Sequence, residues 1–269
     1  MIQLPRITVI TPSLNQGEFI ERTILSVLDQ GYPNLEYIVV DGASDDDTVN
    51  ILKKYGDRLA WISESDRGQS HAINKGIRLA TGDVIAFLNS DDLYLPGALL
   101  AVGYFFARQT KASWVTGRCR IIDQNDEEIR KGITFYKNMW LRFAGYHTLH
   151  ITNYVSQMAT FWRREVIEQI GELDESLHYV MDYDYWLRII KRYKLYTLNQ
   201  YLACFRVHTS SKSSHSASGS VDKANKQFDE EFQVVRRHSP SPLFTNLHRL
   251  HNAAIVAVYR QSHRGFSNS

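Results

Sequence analysis

Val84-Ile85-Ala86-Phe87-Leu88-Asn89-Ser90-Asp91-Asp92 is an apolar run that breaks abruptly into polar and acidic residues. A short apolar run bounded by turn signals reads as a buried β-strand. The same pattern recurs toward the N-terminus. Residues 7–10 lie between Pro5 and Pro12, residues 37–40 precede Asp41, and residues 59–62 precede Ser63-Glu64-Ser65-Asp66-Arg67-Gly68. Between these runs, Ile20, Ile24, Val27 and Leu28 share one helical face, as do Thr48, Ile51, Leu52 and Tyr55, and then Ile73, Gly76, Ile77 and Ala80. Gly31, Gly56 and Gly82 follow the three faces as stops. Repeated βα units of this length predict an α/β fold, a Rossmann-like, mainly parallel sheet flanked by helices.

In such sheets ligands bind beyond the carboxyl ends of the strands. Here those ends are Thr11-Pro12-Ser13-Leu14-Asn15, Asp41-Gly42-Ala43-Ser44-Asp45-Asp46-Asp47, Ser63 through Gly68, and Asn89-Ser90-Asp91-Asp92. All are polar and three are acidic. No Gly-x-Gly and no Gly-rich phosphate loop ending in Lys-Ser or Lys-Thr occurs. A metal ion, rather than backbone amides, would then meet phosphate. Asp91-Asp92 can hold Mg²⁺ or Mn²⁺, hard ions that take oxygen ligands, or it can cap a helix beginning at Leu93. Asp41 can accept from a base N–H or a ribose hydroxyl, or assist a cap for which Asp46-Asp47-Thr48 is better placed.

The second half is less regular. Residues 118–122 and a following stretch, separated by Asp123-Gln124-Asn125-Asp126, predict a hairpin. Strands are expected over 159–162 and 202–207, and helices over 164–170 and 182–193. Residues 209–220 are Ser-rich and read as a loop, with helical sequence from about Val221 onward.

Taken together, Val9 through Asn15, Val39 through Thr48, Gly68 through Gly76, Thr81-Gly82-Asp83 and Phe87 through Asp92 resemble glycosyltransferase family 2, over roughly residues 5–210. The resemblance implies the GT-A fold and an inverting transfer from a UDP-, GDP- or dTDP-sugar to an acceptor hydroxyl, with Mg²⁺ or Mn²⁺ as cofactor. It implies that Pro12 and Asn15 line the nucleotide pocket, that Asp41 contacts the base, that Asp91 lies near the ribose, and that Asp92 binds the metal. Asn89 stands where the family often has an aspartate, which removes a third carboxylate. Val180-Met181-Asp182-Tyr183-Asp184-Tyr185-Trp186 resembles the family's base motif, usually Glu-Asp. With Met181 in the first place, Asp182 stands alone as the catalytic base.

Asp182 and Asp184 are two residues apart and point to different helical faces, so both cannot aim at one hydroxyl. A helix N-terminus lowers a carboxyl pKa, whereas a general base works best when raised toward neutrality; Met181, Tyr183 and Trp186 can supply the desolvation that offsets this. The alternative is Asp182 as a plain N-cap. His208, after the last strand, is either a satisfied surface or core residue or, as the resemblance implies, one that reaches the metal or the diphosphate, and Arg206 either meets phosphate or is a solvated strand residue. Arg67 and Gln69 can contact the donor from their strand-end loop. Tyr183 and Trp186, with Tyr179 and Tyr185, form either an acceptor platform or a helix face packed into the core.

The expected organisation is a catalytic domain over 1–215 and a C-terminal helical tail over 216–269. The domain divides into a donor half, about 1–110, and an acceptor half, about 111–215. Residues 236–264 interleave Arg236, Arg237, His238, His248, Arg249, His251, Arg260, His263 and Arg264 with Leu243, Phe244, Leu247, Leu250, Ile255, Val258 and Tyr259. This basic amphipathic pattern fits either a helix packed on the catalytic domain or one resting on a membrane near a lipid-linked acceptor.

With 43% hydrophobic residues in 269, the chain can bury a sizeable core, and a net charge of +2 spread along it gives no reason to expect nucleic acid. Cys119 and Cys204 have no metal-type spacing and read as reduced thiols of a cytosolic protein. No signal peptide is expected, nor any window of the ~18 apolar residues that span a bilayer. The chain also lacks the Gln-x-x-Arg-Trp motif of processive synthases. A cytoplasmic surface-polysaccharide transferase is the leading expectation, with peripheral membrane association left open by the two readings of the tail. A sugar nucleotidyltransferase or a non-catalytic carbohydrate- or nucleotide-binding module are the alternatives.

Overall fold

The computed structural model describes residues 2–209 and 221–264, with the side chains of 221–225 and 256–264 excepted. The Ser-rich stretch over 210–220 and the side chains of Val258, Tyr259, Arg260, His263 and Arg264 therefore lie outside the described residues.

The first half alternates as the periodicity predicts. Strands β1 (Ile7–Ser13), β2 (Leu35–Asp41), β3 (Ala60–Ser63) and β4 (Val84–Phe87) are joined by helices α1 (Ile20–Leu28), α2 (Thr48–Lys54) and α3 (Gln69–Leu79). These four strands are mutually parallel in the order β3-β2-β1-β4. The order reverses between β1 and β4, and a crevice opens at such a switch point. Successive residues alternate between the two faces. Ile10, Ile38, Val40, Ile85 and Phe87 enter one core, while Val9, Tyr37, Val39, Val84 and Ala86 enter the other.

Two glycines bring these layers into contact. A Cβ at Gly76 would lie 2.4 Å from Ile10 Cγ2, so α3 approaches β1 only because that atom is missing. At Gly82 a Cβ would meet the Thr8 backbone nitrogen at 2.8 Å.

The second half extends the sheet with mixed directions. Its elements are β5 (Leu93–Tyr94), α4 (Ala98–Arg108), β6 (Trp114–Ile122), β7 (Glu128–Ile129), α5 (Lys131–Trp140), α6 (Tyr146–Leu149), β8 (Thr160–Arg163), α7 (Arg164–Ile170), α8 (Met181–Ile190) and β9 (Leu195–Arg206). Beyond β4 the sheet continues β8-β6-β9-β5. The β6–β7 hairpin forms at the expected place, pairing Ile121 with Ile129. Leu93 and Tyr94 form a strand against β9 and the next helix begins at Ala98, so Asp91-Asp92 caps no helix. Cys119 and Cys204 are buried free thiols.

The tail forms α9 (Val221–His238) and α10 (Pro242–Arg264). Both rest on the second half of the sheet's chain segment, residues 111–209. His238 Nε2 lies 2.7 Å from Asp184 Oδ1, and His248 Nδ1 donates to the Ile151 carbonyl at 3.0 Å. The packed-helix alternative thus holds for one side of the tail. Among the described residues no helix is long and apolar enough to cross a membrane.

Candidate active site

A cleft of about 690 Å³ opens at the switch point, within the range of small-molecule sites. Pro12 and Ser13 reach it from β1, Asp66 from the β3–α3 connection, Gln69 from the start of α3, and Asn89 and Asp91 from the loop after β4. Thr134 and Lys137 on α5, Asp182 on α8 and Glu231 on α9 line the same cleft. The acidic end of β4 and the base candidate, far apart in sequence, therefore share one cavity.

Asp91 and Asp92 point in different directions. Asp91 faces the cleft, and its Oδ2 lies 3.0 Å from His208 Nε2. The His208 ring is held at 4.3 Å from that of Phe19. Asp92 is fully buried and outside the lining. Its Oδ1 accepts the Arg206 backbone N–H at 2.9 Å and its Oδ2 accepts from Asn89 at 3.3 Å. Burial, then the charge of Asp91, pushes the Asp92 carboxyl well above the usual carboxylate range. By geometry Asp91 is the member of the pair that faces the cleft, with His208 buried behind it, while Asp92 supports the loop from within.

Arg206 is fully buried, not solvated. Its Nε donates to the Asp91 carbonyl at 2.7 Å, Nη1 donates to the Asp123 carbonyl at 2.9 Å and pairs with Asp126, and the guanidinium sits over Phe19. It locks the carboxylate loop to the β6–β7 hairpin.

Among the described residues no group of three or more His, Cys, Asp or Glu side chains is placed to hold a metal. A divalent ion held by one carboxylate and one imidazole keeps positions open for phosphate oxygens, which suits Mg²⁺ or Mn²⁺ in a diphosphate site. Ser13 Oγ and Gln16 Oε1, both in the cleft wall, are buried without a hydrogen-bond partner, as polar atoms awaiting a polar ligand would be.

Pro12 lines the cleft as expected, but Asn15 does not. Asn15 adopts φ +52° and ties two loops together, donating its N–H to Ser44 Oγ and accepting from the Asp45 N–H. Asp41 is buried, and its carboxylate is taken up by the Ser44 N–H, the Ser44 hydroxyl and the Ser63 hydroxyl at 2.9, 2.5 and 2.6 Å. It organises the strand end from beneath. Asp66, passed over in the sequence, is the carboxylate from this region that lines the cleft. Arg67 is turned outward and paired with Glu175 at 2.6 Å.

Asp182 sits in the first turn of α8, whose N-cap position is Val180, so the N-cap alternative fails. Burial raises its carboxyl above the usual range, against the Tyr183 N–H and the Lys137 ammonium, which lower it. Asp184 lies on another face of the helix. Burial would raise it too, but His238 and Arg188 overcome that and hold it low. Tyr183 and Trp186 are fully buried and outside the cleft. Tyr183 donates to the Leu149 carbonyl, and Trp186 stacks on Trp114 at 5.7 Å. The acceptor-platform reading of these two is corrected: both are core residues, and Tyr179 is the aromatic beside Asp182 in the cleft wall.

Glu231 and Lys137 went unnoticed in the sequence. Burial, with a contribution from Asp182, raises the Glu231 carboxyl to about 7. Burial lowers the Lys137 ammonium. Thr134 Oγ1 and Asn153 Oδ1 beside them are buried and unpartnered. No motif marks these residues, because distant elements bring them together.

This architecture is that of the GT-A fold. The mannosyltransferase PcManGT from Pyrobaculum calidifontis, solved with GDP-Man and Mn²⁺, superposes with a TM-score of 0.69 over 93% of this chain and 70% of its own, at 21% identity. S. aureus TarS with UDP-GlcNAc gives 0.65 over 90% and 70%, at 15% identity. The family described as Glycosyl transferase family 2 matches residues 8–171, and the chain belongs to it. A glycosyltransferase of Rickettsia typhi is 28% identical over 207 residues, 76% of this chain and 64% of that one. TuaG of Bacillus subtilis, named for teichuronic acid biosynthesis, is 30% identical over 217 residues, 78% of this chain and 82% of that one. The chain spans slightly under two thirds of the first curated relatives it matches.

Proposed function

We propose that the protein transfers a sugar from a nucleotide-sugar donor to an acceptor hydroxyl with inversion, in the cytoplasm, during surface-polysaccharide synthesis. One observation carries the reading: Asp91, beside His208, and Asp182 line one cleft from opposite halves of the chain. Family membership and the name of TuaG support the class of product.

Asp91 and His208 would hold a divalent ion, which when bound neutralises charge on the departing diphosphate. Pro12, Ser13, Gln16 and Asp66 bind the nucleotide side. Asp182 takes the proton of the acceptor hydroxyl while that oxygen bonds to the anomeric carbon. The bond from the anomeric carbon to the diphosphate oxygen breaks on the opposite face. The raised Asp182 carboxyl suits this task better than a solvated aspartate would. Lys137, Glu231, Thr134 and Asn153 orient the acceptor, a free or lipid-linked saccharide.

Purified protein with Mn²⁺ or Mg²⁺ and a panel of UDP-, GDP- and dTDP-sugars tests the reading through donor hydrolysis and the anomeric configuration of products. Asp91→Ala is expected to abolish metal-dependent donor binding, and Asp182→Asn to keep binding but lose transfer. Wild-type transfer by Asp182→Asn would remove the base assignment, and a retained anomeric configuration would remove inversion.

A further inference from the structure

The largest exposed apolar side chains are concentrated on two adjoining segments. Phe135 is 73% exposed, Phe143 65%, Leu243 61% and Leu250 68%, with Met139 and Leu247 partly so. Phe135 and Met139 are four apart on α5, and Phe143 follows in the short helix Leu141–Phe143. Leu243, Leu247 and Leu250 form a stripe on α10 at helical spacing. The inner stripe of α10, Phe244, His248 and His251, is already used. Phe244 stacks on His147 at 5.0 Å, and His251 meets Tyr136 and Trp140. Phe135 and Leu250 each stand one residue from that Tyr136–His251 junction, so the unused stripes flank a single seam.

Charge identifies the occupant. Neither residues 129–164 nor residues 232–269 contain an aspartate or glutamate. Lys131, Arg142 and Arg249 are exposed around the apolar side chains. Two copies meeting through this face would oppose like charges. An anionic bilayer surface would take both its apolar and its basic groups. The opposite side of α5 carries Thr134 and Lys137 into the acceptor part of the cleft.

We propose that the α5–α10 seam is a docking surface for an anionic phospholipid bilayer, seating the acceptor side of the cleft at the membrane. This deepens the reading of the acceptor as lipid-borne and rests on it only for its purpose. Binding itself can be measured without any sugar.

The test is co-sedimentation of the full chain with phosphatidylcholine vesicles, with and without phosphatidylglycerol. Binding is expected only with phosphatidylglycerol, and it should weaken with salt. The double variant Phe135→Glu/Leu250→Glu should bind about tenfold more weakly or worse, and Arg142→Glu/Arg249→Glu likewise. All four positions are exposed, and an unchanged circular dichroism spectrum verifies folding. No sedimentation of the wild type, equal binding by the variants, or a dimer in sedimentation velocity that these substitutions dissolve would each overturn the proposal. Donor hydrolysis reports separately on the proposed function, since vesicle binding by a chain that hydrolyses no donor would leave the docking surface standing.

Discussion

Glu230 Oε2 lies 2.6 Å from the backbone nitrogen of Tyr179, and the same carboxylate also accepts the N–H groups of His178 and Val180. A side chain from α9 thus satisfies the three N–H groups of the turn that leads into α8, whose N-cap residue, Val180, makes no side-chain capping bond. That turn sets the entry to the helix that carries Asp182.

Removing this carboxylate leaves three N–H groups in the turn before α8 without their partner. Glu230→Ala is expected to cost about 1–3 kcal/mol of stability and to reduce transfer more than donor binding. Thermal denaturation and a comparison of turnover with donor affinity check both parts. A variant that loses donor binding in parallel would disconnect Glu230 from the acceptor side.

The Glu231 carboxyl gives a pH dependence of definite sign. Its folded value, about 7, lies above the ordinary 4.5. Between these values the folded chain keeps a proton that the unfolded chain has released. Its contribution to stability is therefore fully present below about pH 4.5, falls as pH rises through the window, and is level above about 7. Glu231→Gln does not titrate, so it should gain on the wild type by about 1–3 kcal/mol across that window. Denaturation midpoints of both proteins at several pH values measure the difference, and parallel curves would refute the assignment.

Asp92 and Asp91 should separate cleanly. Asp92→Ala removes the acceptor for the Arg206 N–H in a buried setting and is expected to destabilise the fold by about 2–4 kcal/mol. Asp92→Asn keeps an acceptor oxygen and should stay folded while still binding Mn²⁺ with donor, measured by calorimetry. Loss of metal binding by a folded Asp92→Asn would return the ligand role to Asp92.

Asn74 pairs with Leu173 through both amide atoms, donating to its carbonyl and accepting its N–H, each at 3.0 Å. Asn74→Ala should cost about 2 kcal/mol through the connection leading to α8, read as a lowered denaturation midpoint. A neutral effect would mean that water replaces both bonds.

The first half was legible because each strand and helix there carries its own period and stop, and because β1, β2 and β4 are buried on both faces. The second half was not. Most of α5 and the start of β9 have no clean period, and pairing with β6 holds residues 195–201 in a strand that local sequence did not suggest. At the site, spacing located the carboxylates but not their direction. Whether Asp91 or Asp92 turns into the cleft is decided by Arg206, 114 residues from Asp92. The aromatic pattern around Asp182 reads the same for a sugar platform as for core, and tertiary packing sent Tyr183 and Trp186 inward. Glu230, Glu231 and Lys137 act only through contacts between elements remote in sequence.

The Glu230 tie to the turn before α8 also bears on the order of synthesis. His178 and Glu230 are separated by 52 residues, so on a nascent chain that turn meets its partner only once α9 has emerged. The βα repeats of the first half have their partners earlier in the chain.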